Sequence, residues 1–175
     1  MILKYRPEID SLRAISVIAV IIYHAKIYLL GNLALQGGYY GVDIFFVISG
    51  YLISSIILSE IRLNNNFSLI NFYERRARRI LPALLLVILS CVPISYFILM
   101  PEEIIEFSYS IISSLVFFSN IFFYYAGLVY GAENTLLKPL LHTWSLAVEE
   151  QFYLIFPILV ILIIKFFKKY IFYIF

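Results

Sequence analysis

Long runs of apolar residues, separated by short polar segments, alternate along the chain from end to end. Five runs are long enough to be candidate membrane spans, at about 11–30, 42–60, 80–100, 106–125 and 146–167. A helix needs about 20 apolar residues to cross a bilayer. The runs are continuously apolar rather than alternating, which favours helices over the strands of a barrel. The pattern predicts an all-α, polytopic transmembrane helix bundle with about five spans.

The composition supports a membrane protein and excludes a soluble globular domain. Of the 175 residues, 63% are hydrophobic and 14% are charged, whereas soluble domains carry about 25% charged residues. A soluble fold of this length has too much surface to hide so much apolar area. The only cysteine, Cys91, lies inside an apolar run, where we expect a small core residue.

The basic residues predict the orientation of the chain in the membrane. Lys and Arg are enriched in the short loops on the cytoplasmic side of a membrane. Here they flank the first two spans, at Lys4, Arg6, Arg62, Arg75, Arg76, Arg78 and Arg79. We therefore expect a multi-pass protein of the inner (plasma) membrane with a cytoplasmic N-terminus. Five plain spans would place the last basic group outside, at Lys165, Lys168 and Lys169. Either one segment is re-entrant, or the later topology is not simple.

Several ionisable side chains lie at or inside the apolar segments, where such groups are rare and usually functional. They are Asp10, Arg13, His24, Asp43, Glu149 and Glu150. Arg13 and His24 are separated by almost three helical turns, so they share one face about 16 Å apart. Asp10 lies one turn before Arg13. The alternative interpretation is an interfacial Asp10–Arg13 pair and a packed core histidine.

His24 is suited to acid–base chemistry because its unperturbed pKa of about 6.5 lies near neutrality. A carboxylate nearby would favour its charged form, so Glu149 or Glu150 is a candidate for orienting it. Alternatively, Ser145 caps a helix and the two acids stabilise its first turn. That interpretation suits one acid better than both, since adjacent helical residues point about 100° apart.

The stretch "YERRARRILP" places four arginines just before a helical span that we expect to begin near Pro82. Arg76 and Arg79 are spaced i, i+3 and therefore neighbour each other on one helical face. Arginine pairs bidentately with phosphate, so these two residues form a candidate phosphate clamp. A membrane anchor on the positive side is the alternative.

The stretch "GGYYGVDIFFVISGYLI" opens the second span. Its glycines permit a close approach of helices or an unusual backbone conformation, at Gly41 and Gly50 especially. Asp43 is either part of a site or an acid at the start of a helix.

Taken together, these stretches resemble the type 3 integral-membrane acyltransferase family. The resemblance covers most of the chain and rests on "DSLRAISVIAVIIYHA", "GGYYGVDIFFVISGYLISSII", "FYERRARRILPA", "SNIFFYY" and "PLLHTWSLAVEEQFYLIFP". The family moves acyl groups, most often acetyl, onto cell-surface sugars. The sequence motifs are most similar to those of members that modify lipopolysaccharide O-antigen or peptidoglycan.

The resemblance implies a role for each candidate residue. His24 is expected to be the general base for a sugar hydroxyl or part of an acyl relay, with Glu149 as the favoured catalytic partner. Arg76 and Arg79 are expected to hold the phosphates of acetyl-CoA or another acyl-CoA donor. The remaining residues expected to support the binding site are Arg13, Asp43 and Glu150. The implied partners are acyl-CoA, a polysaccharide or lipid-linked sugar acceptor and membrane lipid, without metal or nucleic acid.

The family usually has about ten spans, which is twice the number expected here. Residues 1–175 are therefore expected to be the N-terminal half of a roughly ten-span acyltransferase domain, with doubtful activity alone. Two alternatives stay open: an inactive truncated remnant, and a membrane transporter or export component. A transporter predicts paired similar halves, and the sequence contains no visible internal repeat.

Overall fold

The computed structural model describes residues 6–29, 32–64, 67–128 and 137–167. Over these residues the chain forms six helices: α1 Pro7–His24, α2 Tyr40–Asn64, α3 Leu69–Ile98, α4 Pro101–Leu115, α5 Ser119–Leu128 and α6 Thr143–Phe167. A two-residue hairpin, β1 Tyr28–Leu29 with β2 Asn32–Leu33, lies between the first two. The all-α prediction is confirmed. The chain divides into two compact units, Met1–Phe67 and Ser68–Phe175, which are described separately.

In the first unit, α1 and α2 pack backbone to backbone where α2 begins. A Cβ atom added at Gly38 would lie 2.4 Å from the carbonyl oxygen of Ala19, and one at Gly41 would lie 2.4 Å from that of Ser16. Only glycine fits at such distances, as at close helix crossings in membranes. The expected close approach at Gly41 is therefore confirmed. At Gly50 it is wrong, because nothing lies within 4 Å of an added Cβ.

In the second unit, α3 begins well before the position that we expected from the sequence. It starts at Leu69, with the hydroxyl of Ser68 accepting a hydrogen bond from the backbone N–H of Asn71, and it continues through Pro82 and Pro93. Ser is a favoured N-cap, and helices in membranes tolerate internal proline. The expected start near Pro82 is wrong, and the four arginines lie on a helix rather than in a loop.

The expected span at 106–125 is not one helix. The chain breaks at Val116–Phe118, where Phe117 has a φ of 56°. At 1.5 Å per residue, α4 and α5 are only about 22 and 15 Å long, shorter than the roughly 30 Å hydrocarbon core. Among the described residues, three helices are long and apolar enough to cross a membrane, within α2, α3 and α6. The first helix is not among these three, because it carries three charges, at Glu8, Asp10 and Arg13.

Helix α6 runs antiparallel to α3. The hydroxyl of Tyr73, near the start of α3, donates to the carbonyl of Leu154 in the middle of α6, over 2.8 Å. Further along α3, Val87 lines a cavity together with Thr143 at the start of α6. The last turn of α6, which contains Lys165, therefore lies on the same side as the arginines of α3.

This direction follows from the path of α4 and α5. Phe117, at their break, lines a cavity with Arg76 near the start of α3. Phe123 of α5 lines another cavity with Ile98 at the end of α3. The α4–α5 segment thus enters from one end of α3 and returns to it. Of the two topological alternatives, the structure supports the re-entrant segment; Lys168 and Lys169 lie outside the described residues.

The core of the second unit lies where α3, α4 and α5 meet the segment before α6. Its buried cluster consists of Leu84, Ile88, Phe107, Phe123 and Leu140. Cys91 packs against this cluster and is partly buried, as expected. The cluster fixes the re-entrant helices against α3 and so determines the depth of their break.

Candidate functional site

The two units divide the candidate site residues between them. Arg13, His24 and Asp43 belong to the first unit. The second unit contains Arg76, Arg79, Glu149 and Glu150.

In the first unit, His24 is the last residue of α1 and is exposed. Its ring nitrogen Nδ1 lies 2.9 Å from the carbonyl oxygen of Val20. A carbonyl oxygen only accepts hydrogen bonds, so Nδ1 carries the proton in this contact. In the neutral ring the basic lone pair is therefore on Nε2, which is the atom that can take a proton.

Aromatic rings surround the end of α1. The ring of Tyr23 contacts His24 edge to face, with centroids 5.2 Å apart, and it also contacts Tyr39 at 5.6 Å. Tyr39 in turn packs on Tyr40 at 4.2 Å. A hydrogen bond with Tyr40 raises the pKa of Tyr39 above its ordinary value. The hydrogen bond therefore favours the neutral form of the Tyr39 phenol.

Arg13 and His24 lie on the same uninterrupted helix, as predicted. The guanidinium carbon Cζ of Arg13 lies 5.0 Å from the centroid of the Phe45 ring of α2, a cation–π contact. Asp43 lies in the first turn of α2, where an acid stabilises the helix dipole, and it is exposed. The helix-start interpretation of Asp43 therefore has direct structural support.

In the second unit, the arginines of α3 have different surroundings. Arg78 is exposed and pairs with Glu74 one turn away, with 2.7 Å between Nη2 and Oε1. Arg76 is half-buried and points toward α6, where its Cζ lies 3.9 Å from the ring centroid of Tyr153. Arg79 lines a separate cavity with His142 and Thr143. Arg76 and Arg79 therefore both belong to the side of α3 that meets α6.

Glu150 lines a cavity of about 350 Å³ between α3, the α4–α5 break and α6. Arg76 lines the same cavity, together with Tyr73, Phe117, Gln151 and Tyr153 and a mostly apolar remainder. The Oε1 atom of Glu150 is buried and has no hydrogen-bond partner among the described residues. A buried carboxylate oxygen without a partner is costly, so a cation, proton or ligand is needed to satisfy it.

Glu149 has a partner on its own helix. The hydroxyl of Tyr153, one turn further along α6, donates a hydrogen bond to Oε1 of Glu149. Tyr153 thus touches both an anion of α6 and a cation of α3. Sequence reasoning missed Tyr153, since an aromatic residue in an apolar run gives no signal of its own.

The amide of Gln151 fixes the α4–α5 break against α6. Its Nε2 donates to the carbonyl of Phe117 at 2.8 Å and to Oδ1 of Asn120 at 3.0 Å. Asn120 donates back to Oε1 of Gln151 at 3.1 Å. Sequence reasoning did not assign either residue, although a Gln and an Asn inside apolar runs are a signal of buried polar contacts.

The helix-cap interpretation of the two acids is wrong. Helix α6 begins at Thr143, and no acid lies in its first turn. Ser145 lies inside the helix, where its hydroxyl donates to the carbonyl of His142. Glu149 and Glu150 therefore lie nearly two turns into α6, beyond the reach of the dipole effect, which falls off within the first turn.

Comparison with known proteins supports the same group of enzymes. A family model described as an acyltransferase domain matches residues 6–175. O-acetyltransferase OatA of Staphylococcus aureus (strain NCTC 8325 / PS 47) is 42% identical over 166 residues, which cover 94% of this chain and 26% of the relative. A putative O-acetyltransferase of Staphylococcus aureus (strain MSSA476) is 43% identical over 167 residues, covering 95% of this chain and 26% of the relative.

The chain spans about a quarter of the length of these curated relatives. No solved structure matches it. The family model covers nearly every residue, including all the candidate site residues of both units. The chain belongs to the type 3 integral-membrane acyltransferase family.

Proposed function

We propose that the chain takes part in membrane O-acyl transfer, from acetyl-CoA or another acyl-CoA to a hydroxyl of a cell-surface carbohydrate. The observation that carries the proposal is the charged cluster of the second unit, in which Arg76 and Glu150 line one cavity of about 350 Å³. A membrane-embedded cavity with a guanidinium and a buried carboxylate suits a polar, charged ligand. The O-acetyltransferase relatives supply the reaction class.

On the donor side, Arg76 and Arg79 bind the phosphates of the acyl-CoA. Both lie in the N-terminal half of α3, on the side of this helix that meets α6. Guanidinium groups pair with phosphate through two parallel hydrogen bonds. The apolar residues that line the cavity next to Arg76, at Ile80, Leu81 and Leu154, suit the part of the acyl-CoA molecule that carries no phosphate.

On the acceptor side, His24 is the general base. Its Nε2 takes the proton of the carbohydrate hydroxyl, whose oxygen attacks the carbonyl carbon of the acyl thioester. The carbon–sulfur bond then breaks, and the leaving thiolate receives a proton. The hydrogen bond from Nδ1 to Val20 supports this role because it fixes the tautomer with the lone pair on Nε2.

The orientation that fits this reaction has the arginines of α3 in the cytoplasm, where acyl-CoA is made. The basic residues Lys4 and Arg6 assign the N-terminus to the cytoplasm as well, which requires both α1 and α2 to cross the membrane. The last turn of α6 contains Lys165 and lies on the arginine side, which supports placing this side of the second unit in the cytoplasm.

Binding of radiolabelled acetyl-CoA to membranes that contain the protein tests the donor site. Arg76→Ala is expected to weaken binding by about 10- to 100-fold, since a hydrogen bond to a charged group contributes roughly 1.5–3 kcal/mol. Arg78→Ala is the matched control, because Arg78 is exposed and pairs with Glu74. Equal binding by the two variants would contradict the donor assignment, and no binding by the wild type would favour a transporter or a remnant.

Transfer of labelled acetyl in the native membrane tests the acceptor side. His24→Ala is expected to lower the transfer rate by about 10²–10⁴-fold, the usual contribution of a general base, with acetyl-CoA binding unchanged. Peptidoglycan and lipopolysaccharide O-antigen are compared as acceptors, so the labelled product identifies the carbohydrate. Undiminished transfer by the variant would remove His24 from the mechanism.

A further inference from the structure

We infer that Tyr153 is the positioning residue of the charged cluster: its ring holds the guanidinium of Arg76, and its hydroxyl holds the carboxylate of Glu149. The inference rests on the proposed function, in which Arg76 binds the acyl donor. Tyr153 itself is not assigned a contact with substrate; it acts through the two charged side chains that it touches.

The contact between Tyr153 and Arg76 joins α6 to α3. Tyr153 is 2% exposed, so its ring has little freedom to move. The Cζ atom of Arg76 lies 3.9 Å from the centroid of this ring and 5.6 Å from that of Phe72, which is also 2% exposed. Guanidinium groups stack on aromatic faces, and the attraction is strongest where water is excluded. Stacking occupies the face of the guanidinium and directs its N–H groups sideways, as pairing with phosphate requires.

The contact between Tyr153 and Glu149 lies within α6. The two residues are spaced i, i+4 and so lie on the same side of the helix. The phenol hydroxyl donates to Oε1 of Glu149, and the buried ring fixes the direction of that hydroxyl. A single rigid side chain therefore sets the positions of one cation and one anion at the same depth of the second unit.

The register of the two helices next to this contact has its own support. The hydroxyl of Tyr73, about one turn before Arg76 on α3, donates to the carbonyl of Leu154, the residue after Tyr153. Helix α6 is thus held to α3 by Tyr73 even when Tyr153 is changed. A substitution at Tyr153 is therefore expected to alter the position of Arg76 more than the packing of the helices.

Two substitutions separate the ring from the hydroxyl. Tyr153→Phe keeps the stacking on Arg76 and removes the hydrogen bond to Glu149. Tyr153→Leu removes both and keeps an apolar side chain in the core. If Tyr153 only fills space, both substitutions should leave the position of Arg76 unchanged. If its ring positions Arg76, only Tyr153→Leu should change that position.

The first measurement does not depend on the donor. Membranes with the wild type or a variant are treated with phenylglyoxal, and the modification rate of each arginine is read by mass spectrometry. Tyr153→Leu is expected to raise the rate at Arg76 several-fold, Tyr153→Phe to leave it within about twofold, and neither to change the rate at exposed Arg78. An unchanged rate at Arg76 in Tyr153→Leu overturns the inference, as does an equal rise at Arg78, which indicates general loosening.

The second measurement is the affinity for radiolabelled acetyl-CoA. Tyr153→Leu is expected to bind about tenfold more weakly, the scale of a desolvated cation–π contact, and Tyr153→Phe nearly as well as the wild type. Tyr124→Leu is the matched control, since Tyr124 is 65% exposed on α5. Equal losses in Tyr153→Phe and Tyr153→Leu overturn the role of the ring. A changed modification rate without any acetyl-CoA binding by the wild type supports the positioning role and counts against the proposed donor instead.

Discussion

Replacing Gln151 by leucine is expected to release the α4–α5 break from α6. Gln151 takes part in three hydrogen bonds, one with the carbonyl of Phe117 and two with the amide of Asn120. Interhelical hydrogen bonds in membrane proteins average about 0.6 kcal/mol each, so three contribute roughly 2 kcal/mol. The partners left behind add about 1–3 kcal/mol if they stay buried without a new partner. We expect a total loss of about 2–5 kcal/mol.

Cys91 provides the assay, because it is the only cysteine and packs against the core cluster of the second unit. A thiol-reactive dye added to the detergent-solubilised protein reports its exposure as the temperature rises. For a chain of this size, about 1 kcal/mol corresponds to a shift of roughly 2–4 °C in the midpoint. Gln151→Leu is therefore expected to lower the midpoint by about 4–20 °C.

The reciprocal exchange Gln151→Asn with Asn120→Gln keeps both amides and the summed length of the pair. It is expected to recover at least half of the shift that each single exchange causes. Phe152→Leu, one residue away on an exposed side of α6, is the matched control and is expected to shift little. A shift in Gln151→Leu no larger than in Phe152→Leu would refute the reasoning, as would a double exchange that is no better than the single ones.

Three further substitutions test separate parts of the structure. Gly41→Ala is expected to destabilise the first unit by at least about 1 kcal/mol, because its Cβ would lie 2.4 Å from a carbonyl oxygen of α1. Gly50→Ala, with open space around its Cβ, is expected to be neutral or stabilising. Circular dichroism melts compare the two variants, and equal midpoints would contradict the close packing at Gly41. Glu150→Gln is expected to raise the thermal midpoint, since it removes a buried charge with an unpaired oxygen, while acetyl-CoA binding falls; a lower midpoint would show that the charge is satisfied. Lys138→Met is expected to cost about 1–3 kcal/mol in the Cys91 assay, because the Lys138 side chain is 12% exposed and pairs with Glu106, and an unchanged midpoint would reduce the pair to a surface contact.

The apolar runs were sufficient to predict a helical membrane protein, because burying a backbone in lipid leaves few alternatives to a helix. They were not sufficient to locate the break at Phe117. No glycine or proline occurs between Leu115 and Asn120, so the stretch has no breaker signal. The break is fixed by tertiary contacts instead, mainly the hydrogen bond from Gln151 to the carbonyl of Phe117.

The start of α3 was missed for a different reason. Pro82 was interpreted as the first turn of a helix, the position where proline is favoured in soluble proteins. The actual N-cap is Ser68, whose signal is weak beside the polar residues that precede it. The earlier start matters for function, because it makes Arg76 and Arg79 part of a continuous helix rather than of the segment just before one.

The individual site residues were predictable from the cost of a charge in an apolar segment, and their contacts were not. His24, Glu149 and Glu150 stand out in the sequence by that cost, whereas Arg76 stands out by its spacing within a run of four arginines. The partners of these residues come from distant parts of the chain or carry no charge, as Tyr153 does beside Arg76. Such a pairing cannot be predicted from the sequence alone, because it depends on the register of α3 against α6.

The register of α6 explains why two adjacent acids occur in the middle of an apolar helix. Consecutive residues rotate by about 100°, so the arc from Glu149 to Gln151 covers roughly 200° of the helix. Lipid on any part of that arc would leave a polar group unsatisfied. Here Tyr153, one turn on, lies under Arg76 of α3 and holds Glu149, while Gln151 binds the break between α4 and α5.

Glu150, between them, lines the cavity that these elements enclose. A full-length helix in place of α4 and α5 would present side chains, and no free backbone carbonyl, to Gln151, because its carbonyls would be bonded within the helix. The break at Phe117 supplies that carbonyl at the depth of the acids. The re-entrant segment and Gln151 therefore depend on each other: the carbonyl at the break satisfies the amide of Gln151, and this amide holds the break in place beside the two acids.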